Sequence, residues 1–211
     1  RFCVEADAAG VFVLMHDTIS DTAASVHLGT RVRKMHTSRR DAFQSINSPP
    51  IARVDFEGNI EMLAKVGPRG QGALELKDTM DRSVLLLQFY PGMDHEGMGR
   101  LIQQYKGVVI AGSGLGHVSS QMIPELAKAV EQGIVVVMTS QCLFGRVNLN
   151  VYATGRDIIN AGVIPAEDML PETTLVKLMW ALGQSADRAE VVRLMAADIC
   201  GEMSARREID G

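Results

Sequence analysis

The chain has 211 residues, 46% of them apolar, and a formal charge of −4 from 21 basic and 25 acidic side chains; that length and apolar content can bury a core in one large domain or two small ones. No run of about 18 apolar residues is present to span a bilayer, and the charge balance gives no global attraction to nucleic acid, which needs concentrated positive charge. Cys3, Cys142 and Cys200, an odd count at wide spacing, fit neither a disulfide framework nor a C-x-x-C metal site and read as reduced, packed thiols.

Arg1 to Ala6 reads as the last turns of a helix ending near Gly10, so the chain is expected to begin in mid-domain. The opening RFCVEADAAG lacks the basic, apolar and small-residue sections of a secretory signal, and the cytoplasm is the expected compartment. Val11 to Asp17 is a short apolar run expected to form a buried strand, after which the polar segment Thr18 to Thr30 leads onward. His16, Asp17 and His27 match no metal-ligand spacing and read as solvated loop residues, so no metal is expected.

The stretch from Arg31 to Pro50, RVRKMHTSRRDAFQSINSPP, gathers Arg31, Arg33, Lys34, Arg39 and Arg40 among Thr37, Ser38, Asp41, Ser45 and Asn47. Beyond the alternating stub Arg31-Val32-Arg33 it has neither helical nor strand periodicity, and it reads as an ordered functional loop with Lys34 near the end of a short strand. An ammonium withdrawn from water favours its neutral form and can take or relay a proton near neutral pH, which makes a buried Lys34 the candidate catalytic residue. The same residues also suit a solvated basic loop or a phosphate contact. Ile51–Phe56 and Ile60–Ala64 then read as a hairpin turning at Gly58-Asn59, and Gly67–Gly72 breaks all periodicity, dividing a first lobe, 1–72, from a second, 73–211.

The second lobe alternates. Strands are expected at Val84–Tyr90, Gly107–Ala111 and Ile134–Thr139, with helices at Gly97–Tyr105 and Pro124–Gln132, a pattern that demands parallel strands with helices on both faces and a ligand crevice at their carboxyl ends. Three more helices are expected at Val151–Asn160, Glu172–Leu182 and Asp187–Met203, with Pro171 starting the second and Gly183 ending it. Gly112, Gly114 and Gly116 in VVIAGSGLGHVSS read either as a tight turn or as a weak dinucleotide fingerprint, the latter lacking an acidic residue at the end of the next strand. His117, beside them, reads as a helix cap or as facing water. Cys142 has no histidine near it in sequence and reads as a packed thiol. Trp180 with Leu175, Leu178, Met179 and Leu182 forms a core-facing stripe, while Arg146 and Arg156 read as surface salt bridges or as contacts to a carboxylate or a partner.

The spacing from Lys34 through Thr37-Ser38 to Phe43, Ser45 and Ile46-Asn47-Ser48 resembles the lysine segment of the L-asparaginase/glutaminase family. SQC, GRVNLNVYATGR, AGVIPAEDM and LPETTLVKLMWALG, collinear between Thr139 and Gln184, resemble that family's C-terminal lobe. The likeness is strongest to the branch that serves tRNA-dependent amidotransferases. It implies an α/β fold: the end of a larger N-terminal α/β lobe followed by a small parallel-sheet C-terminal lobe.

It implies further that Lys34 completes a Thr-Asp-Lys set activating a threonine nucleophile against a glutamine or asparagine side-chain amide. The glycine turn would lie near the amide site across a homodimer interface, with His117 as a substrate contact. No cofactor is implied on this chain, ATP and Mg being used by a partner amidotransferase subunit of the E type, which also brings tRNA. The family's threonine loop and His-Gly-Thr-Asp-Thr-Met segment have no counterpart here, and Lys77-Asp78-Thr79-Met80 stands on the wrong side of Lys34 to replace the latter. Those motifs are expected to precede Arg1, and the 211 residues alone are expected to be inactive. A free-standing cytoplasmic L-asparaginase and a non-catalytic module binding ATP or NAD at the glycine turn are the alternative readings.

Overall fold

The computed structural model of the chain describes residues 1–70, 72, 73 and 75–205. The chain divides into two compact units, Arg1–Glu75 with Cys200–Glu202, and Leu76–Ile199 with the residues from Met203 on.

In the first unit, one helical turn, α1 (Phe2–Glu5), ends at Ala6, whose backbone is extended. Four strands follow as an antiparallel sheet in the order β1 (Phe12–His16), β2 (Ala23–Leu28), β5 (Ala52–Asp55), β6 (Ile60–Met62). The expected hairpin at Gly58-Asn59 is present, with Val54 opposite Ile60. The expectation for β1 is corrected: it is an edge strand, half-buried, with Leu14 exposed. The strand that is buried is β2, inside the stretch read as polar, where Ala23, Ser25, Val26 and His27 all lie below 9% exposure. Small and polar residues hide a central strand from a pattern search because they carry no apolar alternation. Phe2 closes this core edge-to-face on Phe12, 5.4 Å between ring centroids, beside Val26, Ile51 and Ala52.

The second unit carries a fully parallel sheet in the order β10 (Ile164–Pro165), β9 (Val135–Ser140), β8 (Gly107–Gly112), β7 (Val84–Gln88). Period-2 geometry sends Val108, Ile110, Val136 and Met138 to one face and Val109, Val135 and Val137 to the other. Both faces are apolar, so both must be covered. Helices α2 (His95–Ile102), α3 (Ile123–Glu131) and α4 (Ala153–Asn160) supply Ile102, Leu126 and Ile158 to the first face; α5 (Pro171–Gln184) and α6 (Arg188–Ala196) supply Leu178, Ala181, Val191 and Met195 to the second. Each fully buried aliphatic side chain contributes about 1.5–3 kcal/mol. Asp94 starts α2 two residues earlier than expected by accepting from the Gly97 amide at 3.0 Å.

Two helix ends differ from expectation, for reasons the local sequence does not contain. Gly183 does not stop α5, which runs to Gln184. The glycine is there because a Cβ would stand 2.2 Å from the Thr79 carbonyl oxygen. Residues 77–81 lie along α5, with Trp180 Nε1 donating to the Lys77 carbonyl at 2.9 Å and Gln184 Nε2 to that of Thr79 at 2.8 Å. Gly183→Ala is therefore expected to destabilise by about 1–3 kcal/mol through overpacking, against the ~1 kcal/mol that alanine gains in helix propensity; the midpoint of urea denaturation measures it. Helix α6 stops at Ala196 rather than near Met203, with Ala197 extended. The buried Lys177 ammonium donates to the carbonyls of Met195 and Ala197, a cation placed on the negative end of the helix.

Candidate active site

The stretch Arg31–Pro50 is more regular than a loop. β3 (Val32–Lys34) and β4 (Phe43–Ser45) form a two-stranded antiparallel hairpin with Val32 opposite Ser45, Arg33 opposite Gln44 and Lys34 opposite Phe43. Three-residue strands are too short for periodicity to reveal. At the loop end the Met35 amide donates to the Ala42 carbonyl at 2.6 Å. His36 Nδ1 accepts from the amides of Ser38 and Arg39, each at 3.1 Å, which folds the loop back on itself. At the other end the Ile46 amide donates to the Arg31 carbonyl at 2.9 Å.

The basic character of the stretch resolves into separate tasks. Arg39 is bidentate on Asp41 at 2.9 and 2.6 Å, and Arg40 pairs with Asp21, holding that carboxyl below its ordinary range. Arg31 is buried and donates through Nε to the Gly201 carbonyl at 2.7 Å. Lys34 ends β3. Its Nζ lies 5.8 Å from the centroid of the Phe43 ring, and it has no ion-pair partner among the described residues. Within this chain the Lys34 side chain is exposed: the last residue of a two-stranded hairpin has a neighbouring strand on one side alone.

His16, Asp17 and His27 form no cluster. His16 Nε2 contacts Asp21 at 2.8 Å, while Asp17 accepts from Ser25 at 2.5 Å and Arg53 at 3.0 Å. Among the described residues no group of three potential ligands gathers for a metal. His27 is no solvated loop residue: it sits in β2 at 3% exposure with Nδ1 2.9 Å from the Ser45 hydroxyl, while its Nε2 is buried without a partner among the described residues. Burial pushes the imidazole below its ordinary value, opposed by the charge of Asp17.

Above about pH 6.5 the ring is neutral in both folded and unfolded states and costs nothing. As the pH falls through that value the unfolded chain takes the proton first, so stability declines until the folded imidazole itself protonates. Denaturation midpoints are therefore expected to drop between pH 7 and pH 5, and the drop to shrink in His27→Gln.

In the second unit, the glycines after β8 make a tight turn. The Ser113 amide donates to the His117 carbonyl at 2.8 Å and the His117 amide to the Ser113 carbonyl at 2.9 Å. Gly114 and Gly116 have φ of +52° and +97°. Helix α3 opens only at Ile123, after a 3-10 turn, Ser120–Met122, capped by Ser119, so no helix N-terminus faces these glycines as a pyrophosphate site requires. His117 neither caps that turn nor reaches water through Nε2, which is buried without a partner among the described residues; its ring meets Tyr152 edge-on at 5.4 Å.

Gln141, which the sequence did not single out, ties the carboxyl ends of the strands. Its Nε2 donates to Phe89 and Ala111 at 2.6 and 2.9 Å, and its amide to Gly112 at 2.9 Å. Cys142 follows in the bend after β9; it, Cys3 and Cys200 are exposed and in no disulfide, which corrects their reading as packed thiols: each lies in a bend or a single helical turn. Arg146 pairs with Glu167, and Arg156 donates to the Asn150 carbonyl at 3.1 Å.

Residues 83–195 match the sequence profile of the Glutaminase/Asparaginase C-terminal domain, and residues 1–66 that of Asparaginase, N-terminal. The D-type subunit of the glutamyl-tRNA(Gln) amidotransferase of Pyrococcus furiosus is 52% identical over 200 residues, 94% of this chain and 46% of that protein. Its namesake in Thermococcus kodakarensis is 52% identical over 206 residues, 97% and 47%. The chain thus spans about half the length of the curated relatives it matches. Among solved structures, the thermostable L-asparaginase from Thermococcus kodakarensis superposes with a TM-score of 0.84 at 35% identity, over 93% of this chain and 58% of that one. L-asparaginase I from Vibrio cholerae gives 0.76 at 32%, over 85% and 55%. No helix among the described residues is long and apolar enough to cross a membrane.

Proposed function

The chain belongs to the asparaginase/glutaminase family, and from that premise we propose that it supplies the lysine segment and the C-terminal lobe of the glutaminase subunit of a tRNA-dependent amidotransferase, one that converts Glu-tRNA(Gln) to Gln-tRNA(Gln). The observation that carries this reading is Lys34: an ammonium at the end of a braced hairpin, without an ion pair among the described residues, in a segment whose spacing matches the family's lysine motif. Identity near 50% to subunits of such amidotransferases, maintained over nearly the whole chain, favours the amidotransferase branch over a free-standing L-asparaginase.

In the proposed reaction a threonine hydroxyl attacks the carbonyl carbon of the glutamine side-chain amide. The hydroxyl proton passes by way of Lys34 towards the leaving nitrogen, the carbon–nitrogen bond breaks, and ammonia departs. Backbone amides hold the oxyanion, and water then cleaves the acyl-threonine ester to release glutamate and restore the hydroxyl. The threonine and its acidic partner are not among these 211 residues; this chain contributes Lys34 and, in our reading, His117 as a substrate contact offered across a homodimer interface. Ammonia would pass to a partner subunit that activates Glu-tRNA(Gln) with ATP and Mg, all in the cytoplasm.

The experiment is a comparison of rates in the complete polypeptide. Glutamine hydrolysis enhanced by Glu-tRNA(Gln) and the partner subunit is the expected result. Fast asparagine hydrolysis, indifferent to tRNA, would assign the protein to the free-standing asparaginases instead.

A further inference from the structure

We propose that Arg31, gripped by the segment Cys200–Glu202, is a positioning residue that sets the place of Lys34; the proposal rests on the reading of Lys34 given above. Arg31 is 4% exposed, and a guanidinium is rarely buried so far unless its donors are used. Its Nε donates to the Gly201 carbonyl at 2.7 Å. Its own amide donates to the Leu28 carbonyl at 2.9 Å, and its carbonyl accepts from the Ile46 amide at 2.9 Å. Arg31 therefore joins three things at one point: the end of β2, the open end of the β3–β4 hairpin, and the segment Cys200–Glu202.

That segment is built to fit. Gly201 has φ +82°, a conformation that strains any side chain, and a Cβ on it would stand 2.7 Å from Leu28 Cδ2, so glycine favours the backbone course that brings its carbonyl to Arg31. Glu202 is 2% exposed and accepts from the Cys200 amide at 2.7 Å. The Thr30 hydroxyl donates to the Cys200 carbonyl at 3.4 Å.

Pairs of three-residue strands are marginal by themselves, and among the described residues the β3–β4 sheet has two strands. Lys34 stands three residues from Arg31 along β3, about 10 Å at strand rise, at the end of the hairpin away from the grip. Rotation or sliding at Arg31 is therefore transmitted to the Lys34 ammonium, and a displacement of about 1 Å at a reacting group lowers turnover about 100-fold. The reach of the effect is through orientation, so it falls on kcat and leaves substrate affinity in place.

The test uses the complete polypeptide and steady-state ammonia release from glutamine. Gly201→Ala and Arg31→Gln are each expected to lower kcat by about 10-fold or more with KM within about twofold and the circular dichroism spectrum unchanged. The double variant is expected to be no worse than Arg31→Gln alone, because both changes break one contact. Arg31→Lys, which keeps a donor without the planar fork, is expected to fall between Arg31→Gln and the parent.

Full kcat in Gly201→Ala overturns the proposal, as does a Gly201→Ala protein that fails to fold, since the segment would then be a structural brace with no separate effect on the lysine. Should Arg31→Gln fail to fold, Gly201→Ala decides by itself. Lys34→Ala separates this proposal from the reading beneath it. An active Lys34→Ala removes both, whereas an inactive Lys34→Ala beside a fully active Gly201→Ala removes the positioning role alone.

Discussion

Lys34→Ala is expected to abolish ammonia release in the complete polypeptide, by about 10³-fold or more, since both the activation of the nucleophile and the proton delivery to the leaving group pass through this side chain. The same substitution is expected to leave stability nearly untouched. The side chain is exposed, it has no ion pair among the described residues, and its contact with the Phe43 ring at 5.8 Å is of a kind worth about 0.5–1 kcal/mol. Few positions separate chemistry from folding so widely. Lys34→Arg sharpens the test: a guanidinium keeps the positive charge and the aromatic contact but does not give up its proton in water, so it is expected to restore stability and not turnover. Full activity in Lys34→Ala would refute the role; activity in Lys34→Arg with none in Lys34→Ala would reduce it to that of a fixed charge.

The parallel sheet is legible because its strands are buried on both faces: VLLLQ, VVIAG and VVVMTS are apolar runs of strand length separated by helices with one apolar stripe, and no other arrangement buries all of that surface. In the first unit the informative residues are short or polar. β2 is Ala-Ala-Ser-Val-His-Leu, β3 and β4 have three residues each, and His27 is buried by a neighbouring strand rather than by its own pattern.

Contacts that cross sequence distance are illegible for the same reason. Lys177 ends α6, Thr79 demands Gly183, and Gly201 holds Arg31, across 18 to 170 residues. Local periodicity reports which face of an element is apolar; it carries no information on which donor will meet which carbonyl. Lys34 stands out through the spacing of its whole segment. Within this chain its two-stranded hairpin by itself leaves the side chain exposed.

Gly112→Ala is expected to destabilise the second unit by about 1–3 kcal/mol, the range of overpacking. Gly112 is the last residue of the fully buried β8. A Cβ there would stand 2.8 Å from the Gly116 carbonyl carbon, 2.9 Å from the His117 oxygen and 3.0 Å from the His117 nitrogen, all of them backbone atoms. The turn has to open to admit it, which breaks the reciprocal hydrogen bonds of Ser113 with His117 and disturbs the Gln141 amide bond to the Gly112 carbonyl. Since 1 kcal/mol moves the melting temperature of a domain of this size by about 2–4 °C, a fall of about 2–12 °C is the expected readout.

Gly114→Asn supplies the contrast: nothing lies within 4 Å of a Cβ there, and φ of +52° is a conformation asparagine tolerates, so near-parental stability is expected. The pair also discriminates between the two meanings a glycine-rich turn can have. If these glycines served the approach of a pyrophosphate, Gly112→Ala would melt like the parent and lose saturable binding of ATP or NAD; with the turn closing on its own backbone, the loss is in folding.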